Sequence, residues 1–445
     1  MNQPIVQGSR LDWIDLGLVT IFLMGIYLGL TLQITARIPL TAAPSGAAGL
    51  ILLWRRRDDI EPAHLAGLLG ILGLYLVSVL AAPDLSWLSK RFTGFLQLSY
   101  SLVIGYALFL TMIRADRDQL ARLFLGFCLF MLIGCLLESY AGLRPISDAV
   151  RLKIYDSGVY DSDLRDQILY GRIRPKWFTS EPSAVTFSYT LYGFAWLVLS
   201  RWRWKLVGYL AMAGAGVIAM PGPTLLLMLV LVMPYQLFIA GRSPGQPVSV
   251  NRMVVVIVAS ALLLIVAAIV GSIVFAERLR TIDNGNDPSF FFRVTGPMLV
   301  ALEIFKVHPW AGIGLTAEPF IMDLVLNVFV RSPHFSAGWD FQSGPDILTN
   351  YFWLHWIYLG LIMGTVVFAA LALWLRRIGV PSALFCFMAW AVLGQASGAY
   401  VGPKTWAVMY IVAGAATLAV GSLRRPAPAE DAGWAAIPAS RRAWR

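Results

Sequence analysis

Long apolar runs separated by short polar stretches dominate the chain. Twelve runs are candidate membrane-spanning helices, at roughly 12–32, 37–54, 63–82, 92–113, 120–140, 183–200, 206–220, 223–240, 253–275, 346–375, 381–399 and 405–422. About 20 consecutive apolar residues suffice to cross a hydrocarbon core. The tenth run is long enough to begin outside the hydrocarbon, and the first continues into the second as a signal-anchor does. The pattern predicts an all-α polytopic membrane protein of about 12 transmembrane helices with two large loops carrying short interfacial helices. Helices one to five occupy 1–140, a loop follows at 141–182, and helices six to nine fill 183–275. A second loop covers 276–345, helices ten to twelve lie in 346–422, and the Pro- and Ala-containing tail 423–445 reads as disordered.

Composition narrows the class. Hydrophobic residues make up 58% and charged residues only 13%, about half the roughly 25% charge of a soluble domain. Soluble enzymes, nucleic-acid binders and disordered hubs are thereby excluded. The net charge of +10 matters through its distribution. Arg55, Arg56, Arg57, Arg114, Arg117, Arg122, Arg201, Arg203, Lys205, Arg242, Arg252, Arg376 and Arg377 fall on one side, against Arg37, Lys90, Arg91 and Lys404 on the other. The richer side is cytoplasmic by the positive-inside rule, so both termini are cytoplasmic and both long loops face outward.

The spans carry little that titrates. Asp12, Asp15, Asp346 and Lys404 sit at their ends, and His355 is the main ionisable residue well inside. Ion-coupled pumps place such groups along their path, so this pattern argues against one. Cys128 and Cys135 are seven residues apart on one helix, about 10 Å by helical rise and too far to bridge. No disulfide framework or metal-ligand spacing is present, and no metal or other cofactor is called for.

Candidate chemistry collects in the two loops. The first ends in Gly171-Arg172-Ile173-Arg174-Pro175-Lys176-Trp177-Phe178-Thr179-Ser180-Glu181-Pro182-Ser183, three cations and a carboxylate at the mouth of the sixth span. Arginine suits phosphate because its planar fork makes paired charge-assisted bonds and stays ionised. The same residues also fit a plain interfacial anchor, with cations at headgroups and Trp177 in the aromatic belt. In the second loop, Phe290-Phe291-Phe292-Arg293 opens a helix of about four turns that would lie along the membrane surface. His308-Pro309-Trp310-Ala311-Gly312-Ile313-Gly314 follows it. His308 is either a base or a structural histidine at a helix end, and His334 is a further polar candidate. The turn Met220-Pro221-Gly222-Pro223-Thr224 shows no chemistry by itself.

Taken together, three segments resemble the O-antigen ligase/polymerase superfamily of polysaccharide repeat-unit polymerases and O-antigen ligases. Arg172-Ile173-Arg174 before Glu181-Pro182-Ser183 is similar to the family's Gly-Arg-x-Arg stretch before a helix start. Arg293, a helix and His308-Pro309-Trp310-Ala311-Gly312-Ile313-Gly314 match its Arg, helix, His-Pro-hydrophobic-x-Gly-hydrophobic-Gly order. Thr349-Asn350 and Gly360-Leu361-Ile362-Met363-Gly364 resemble its His-Asn pair and glycine-spaced helix. Two departures stand out. Thr349 replaces the histidine of the pair, and Pro221-Gly222-Pro223-Thr224 replaces a Ser-Arg element, which points to an exopolysaccharide-type polymerase.

The resemblance implies a glycosyltransferase of the bacterial inner membrane with its active site on the periplasmic face. Its substrates, donor and acceptor, would be undecaprenyl-pyrophosphate-linked oligosaccharides, with membrane lipid and a chain-length regulator as partners and no nucleic acid. Arg172, Arg174, Lys176, Arg293 and Asn350 would bind substrate, and the arginines would stabilise the departing pyrophosphate without a metal. Glu181 is the first candidate base, followed by His308 and His334. The rival activities are an O-antigen ligase delivering glycan to lipid A core and, from another class, a flippase or exporter of lipid-linked oligosaccharide.

Overall fold

The computed structural model describes residues 10–35, 38–155, 160–240, 250–274, 276–284, 287–333, 335 and 347–421. Seventeen helices, numbered in chain order, make up nearly all of its regular structure. The first five are α1 (Trp13–Leu28), α2 (Ala43–Arg55), α3 (Pro62–Ala81), α4 (Leu88–Arg114) and α5 (Arg117–Tyr140). Then come α6 (Arg144–Ile154), α7 (Asp163–Tyr170), α8 (Pro182–Leu199), α9 (Lys205–Ala219), α10 (Leu226–Phe238), α11 (Val250–Val274) and α12 (Ala276–Asp283). The last five are α13 (Gly296–Val307), α14 (Met322–Val330), α15 (Tyr351–Arg377), α16 (Ala383–Gly394) and α17 (Pro403–Gly421). A two-stranded antiparallel ribbon, β1 (Leu32–Thr35) and β2 (Ile38–Leu40), pairs Leu32 with Leu40 and precedes α2.

Helix ends follow local chemistry. Asp12 caps α1 by accepting from the Asp15 amide at 2.7 Å, and Gly29 in the left-handed region stops it. Asp116 caps α5 and Asn350 caps α15 in the same way. Proline opens α3, α8 and α13, where its missing N–H costs nothing.

Among the described residues five helical segments are long and apolar enough to cross a membrane: Pro62–Ala81, Leu85–Arg114, Arg117–Tyr140, Tyr351–Arg377 and Pro403–Gly421. Their outer faces keep Leu65, Leu69, Val77, Leu80, Leu129, Ile133, Leu361, Ile362, Val366 and Leu373 exposed. Apolar rows of that extent have no place in water, and with the composition they mark a helical membrane protein. Several predicted spans come out shorter. The run 37–54 is β2 followed by a 13-residue helix, about 20 Å long against a core of about 30 Å. Trp13–Leu28, Lys205–Ala219, Pro223–Phe238 and Ala383–Gly394 are also apolar but shorter than a full crossing.

Two helices form the axis. Every residue of α8 is buried, as is nearly all of α17. α17 packs on α4, α8 and α16, and small residues let the backbones approach: a Cβ on Gly105 would sit 2.3 Å from the Tyr410 ring. At one end of this bundle Arg55 pairs with Asp12 and Asp15, Arg114 with Asp59 at 2.6 Å and Arg201 with Asp118 at 3.1 Å. The two long segments, 141–182 and 276–345, meet each other at the opposite end.

The second long segment departs from expectation. α13 does not lie free along a surface; it runs beside the first turns of α15, with Thr349 bonded to Phe292 at its start and Ile362 bonded to Pro309 at its finish. There α15 breaks at Gly360, whose φ of 67° and ψ of −178° belong to a region essentially reserved for glycine. Residues 308–314 fill the break. The Ile313 and Gly314 amides donate to Ile357 and Tyr358 carbonyls at 3.1 and 2.9 Å, while Ile362 and Met363 amides donate to Pro309 and Trp310 carbonyls. Buried Arg91 fastens the turn from outside, its Nε donating to the Ile313 carbonyl at 2.8 Å. Gly360→Ala would bring a Cβ within 2.7 Å of Gly312 N and His308 O. It should lower stability by about 3 kcal/mol or more, measurable as a drop in the thermal unfolding midpoint of detergent-solubilised protein.

Candidate functional site

The first wall of the site is set by α7. Gly171, at φ 69°, ends the helix and turns the chain so that 172–181 passes back across it. Asp166 is fully buried beneath this crossing. It accepts from Arg174 Nε at 2.8 Å and from the Tyr160 hydroxyl at 2.8 Å, and Arg174 also donates to Tyr160 at 3.1 Å. The Tyr170 ring lies 4.8 Å from the Arg174 guanidinium. Arg174 is therefore held in one orientation before any ligand arrives.

Asp287 builds the second wall. Its carboxylate accepts from Arg278 Nε at 2.9 Å and from Arg165 Nη2 at 3.1 Å, and it takes the Ser289 and Phe290 amides as well. Arg278 also donates to the Tyr170 hydroxyl. One buried carboxylate thus joins α7 to α12 and aims two guanidinium groups into the same space.

Arg293 completes the cations. It lies in a π-helical turn, Phe291–Thr295, a geometry that recurs at functional sites because it displaces one side chain from the helical row. Thr349 N and Oγ1 both donate to the Phe292 carbonyl at 3.1 Å, and Asn350 Nδ2 donates to the Arg293 carbonyl at 2.6 Å. The Arg293 guanidinium ends 3.8 Å from Glu181 Oε2. Glu181 itself precedes α8, extended into the mouth, with 43% of its side chain open. Burial pushes its pKa up, but Arg293 and then Lys404 and Arg174 pull harder, leaving it below the ordinary carboxylate value. A carboxylate kept ionised in this way is a counter-charge first and a weak proton acceptor second.

These groups line a narrow pocket of about 60 Å³, with Ser183 and Thr186 of α8 and the turn Gly222-Pro223-Thr224 closing it. Such a volume takes about four to six water-sized groups, the bulk of a phosphoryl group. Five cations, Arg165, Arg174, Arg278, Arg293 and the adjacent Lys404, face three carboxylates, Asp166, Asp287 and Glu181. The surplus is two positive charges. No group of three or more His, Cys, Asp or Glu side chains among the described residues is placed to hold a metal ion.

The structure brings Arg174, Arg293 and Glu181 together but not the other sequence candidates. Arg172 points away and donates to the Tyr140 hydroxyl and the Ile218 carbonyl. Lys176 is buried and paired with Asp163 at 3.2 Å, so its charge is already spent. Asn350 is occupied with backbone and Gln395 and acts on the site by holding Arg293. His308 caps the far end of α13 against Phe320, about 18 Å along the helix from the π turn, and burial lowers its pKa. His334 lies outside the described residues.

Arg165, Arg278 and Lys404 escaped the sequence reading. Arg165 and Arg278 sit in mixed-charge stretches where no spacing says which cation faces inward, and their shared partner Asp287 is far from Arg165 in the chain. Lys404 was legible only as a cation at a span end. No family model matches the chain, and no curated protein matches its sequence.

The depressed pKa of Glu181 gives a signed test. Its ion pair is complete above the ordinary value of 4.5 and is lost as pH falls through the lower folded value. The difference in melting temperature between wild type and Glu181→Gln should be constant at neutral pH and shrink only below about pH 4.5. A difference that fades at pH 6 would show that the pair does not hold the carboxylate ionised.

Proposed function

We propose that the protein is a glycosyltransferase that polymerises undecaprenyl-pyrophosphate-linked oligosaccharide repeat units into exopolysaccharide or O-antigen. The observation that carries this reading is the pocket's surplus of two positive charges. A pyrophosphate esterified at both ends carries two negative charges, and the pocket is the size of one of its two phosphoryl groups. The proposal includes about 12 spans in the bacterial inner membrane, cytoplasmic termini and an active site facing the periplasm, in keeping with the charge bias of the loops.

The chemistry follows from the side chains. An acceptor hydroxyl attacks the anomeric carbon, a C–O bond forms, and the bond to the pyrophosphate oxygen breaks with its electron pair. Arg174, Arg278 and Arg293 receive the extra charge on the leaving group, the electrostatic work that cations preset by Asp166 and Asp287 do without reorganising. Glu181 faces the developing positive charge at the sugar and accepts the hydroxyl proton as the bond closes. The apolar helices would bed the polyprenyl tail.

Arg174→Ala, Arg278→Ala and Arg293→Ala should each cut polymer formation by about 100-fold or more, while Arg172→Ala, outside the pocket, keeps measurable product. In a strain lacking the protein, undecaprenyl-pyrophosphate-linked single repeat units should accumulate and long polymer disappear. Long lipid-linked polymer that never reaches lipid A would instead mean a ligase. Units trapped on the cytoplasmic leaflet would mean a flippase, and the assignment of the pocket to catalysis would fall.

A further inference from the structure

Beside the cation pocket lies a second, larger cavity that the proposed chemistry does not use. It has a volume of about 430 Å³ and is lined by Glu138, Ser139, Arg144, Gln167, Arg172 and Arg174 together with the Gly171–Pro175 crossing. Arg174 lines both cavities, which makes them neighbours.

The lining is polar but its charges are mostly matched already. Glu138 accepts the Lys176 and Trp177 amides at 3.0 and 2.6 Å and the Ser147 hydroxyl at 3.1 Å. Arg144 pairs with Asp148 at 3.2 Å and with Asp163, and Arg174 pairs with Asp166. What stays on offer is the Arg172 guanidinium and a mixture of neutral donors and acceptors. The Ser139 Oγ is buried without a hydrogen-bond partner among the described residues, an arrangement that costs stability unless something binds it. Gln167 is exposed at the rim, and Arg172 lies over the Tyr140 ring at 5.4 Å with that ring 64% open.

Arg172 brings one guanidinium charge that no carboxylate among the described residues pairs with, but a cavity of about 430 Å³ is far larger than a compact anion, and an apolar tail would find an unsuitable lining. Hydroxyl groups, which donate and accept at once, and the C–H face of a sugar, which stacks on an aromatic ring, fit both features. A cavity of this volume takes about thirty to forty heavy atoms, about three hexose residues.

Resting on the pyrophosphate reading of the neighbouring pocket, we infer that this cavity is a carbohydrate subsite holding the sugars nearest the pyrophosphate. The lipid-linked glycan passes over Arg174, phosphates on one side and sugars on the other. Gln167, Ser139 and Arg172 then read hydroxyls and select for glycan-bearing over bare lipid.

The test uses full-length protein in nanodiscs and two probes. One is undecaprenyl pyrophosphate, and the other is the undecaprenyl-pyrophosphate oligosaccharide extracted from cells lacking a working copy of this protein. Wild type should bind the glycan-bearing probe about tenfold or more tightly than the bare one, the value of one or two well-placed hydrogen bonds and a stacked ring. Gln167→Trp, which fills the cavity from an exposed position, should erase that preference, and Ser139→Ala should reduce it, with affinity for undecaprenyl pyrophosphate unchanged in both. Equal affinity of wild type for the two probes, or a preference that survives Gln167→Trp, overturns the subsite while the cation pocket stands. Loss of both probes in both variants also overturns it, because sugar contacts would leave the bare lipid untouched. Wild type that binds neither probe sinks the pyrophosphate reading, and the subsite with it.

Discussion

Where α15 breaks at Gly360, two carbonyls and two amides lose their helical partners, and an apolar bundle has no water with which to replace them. The turn at 308–314 supplies all four, and it fits only because Gly312, Gly314 and Gly360 lack side chains at the points of closest approach. This docking fixes the finish of α13, while Thr349 and Asn350 fix its start. Arg293 is carried on the π turn that leads into α13 and is set by those contacts at the near end, on a helix whose far end the repaired break holds.

The site is built on the opposite economy from a core. Its cations are not neutralised one for one but oriented in groups by buried carboxylates: Asp166 aims Arg174, and Asp287 aims Arg165 and Arg278. Burying charge is costly unless each ion is paired and hydrogen-bonded, and here tyrosines Tyr160 and Tyr170 fill the remaining valences. Because the two long segments share Asp287, neither wall is complete alone. A ligand entering between them meets charges already placed, with no rearrangement needed.

Much of this was legible from residue order. The apolar runs foretold the helical class, and Arg174, Arg293 and Glu181 were picked out from the polar mouths of those runs. The glycine-spaced segments around 312 and 360 were visible as motifs, yet nothing in either segment said that they were each other's partners. Arg172 and Arg174 look equivalent two residues apart, and neither residue type nor spacing separates them; only the partners that the fold brings up do. One meets Asp166 and the other meets Tyr140. His308 was readable either as a base or as a structural histidine at a helix end, and the structure places it at the end of α13.

The sequence by itself determined that this is a helical protein with apolar helices of membrane length, since burial of backbone polar groups in an apolar setting allows little else. It also determined that cations concentrate in two polar segments. Only the tertiary structure decided which of those cations face one another. Hydrophobicity is local and additive along a chain, whereas an ion pair such as Arg165 with Asp287 exists only once distant segments are brought within about 4 Å.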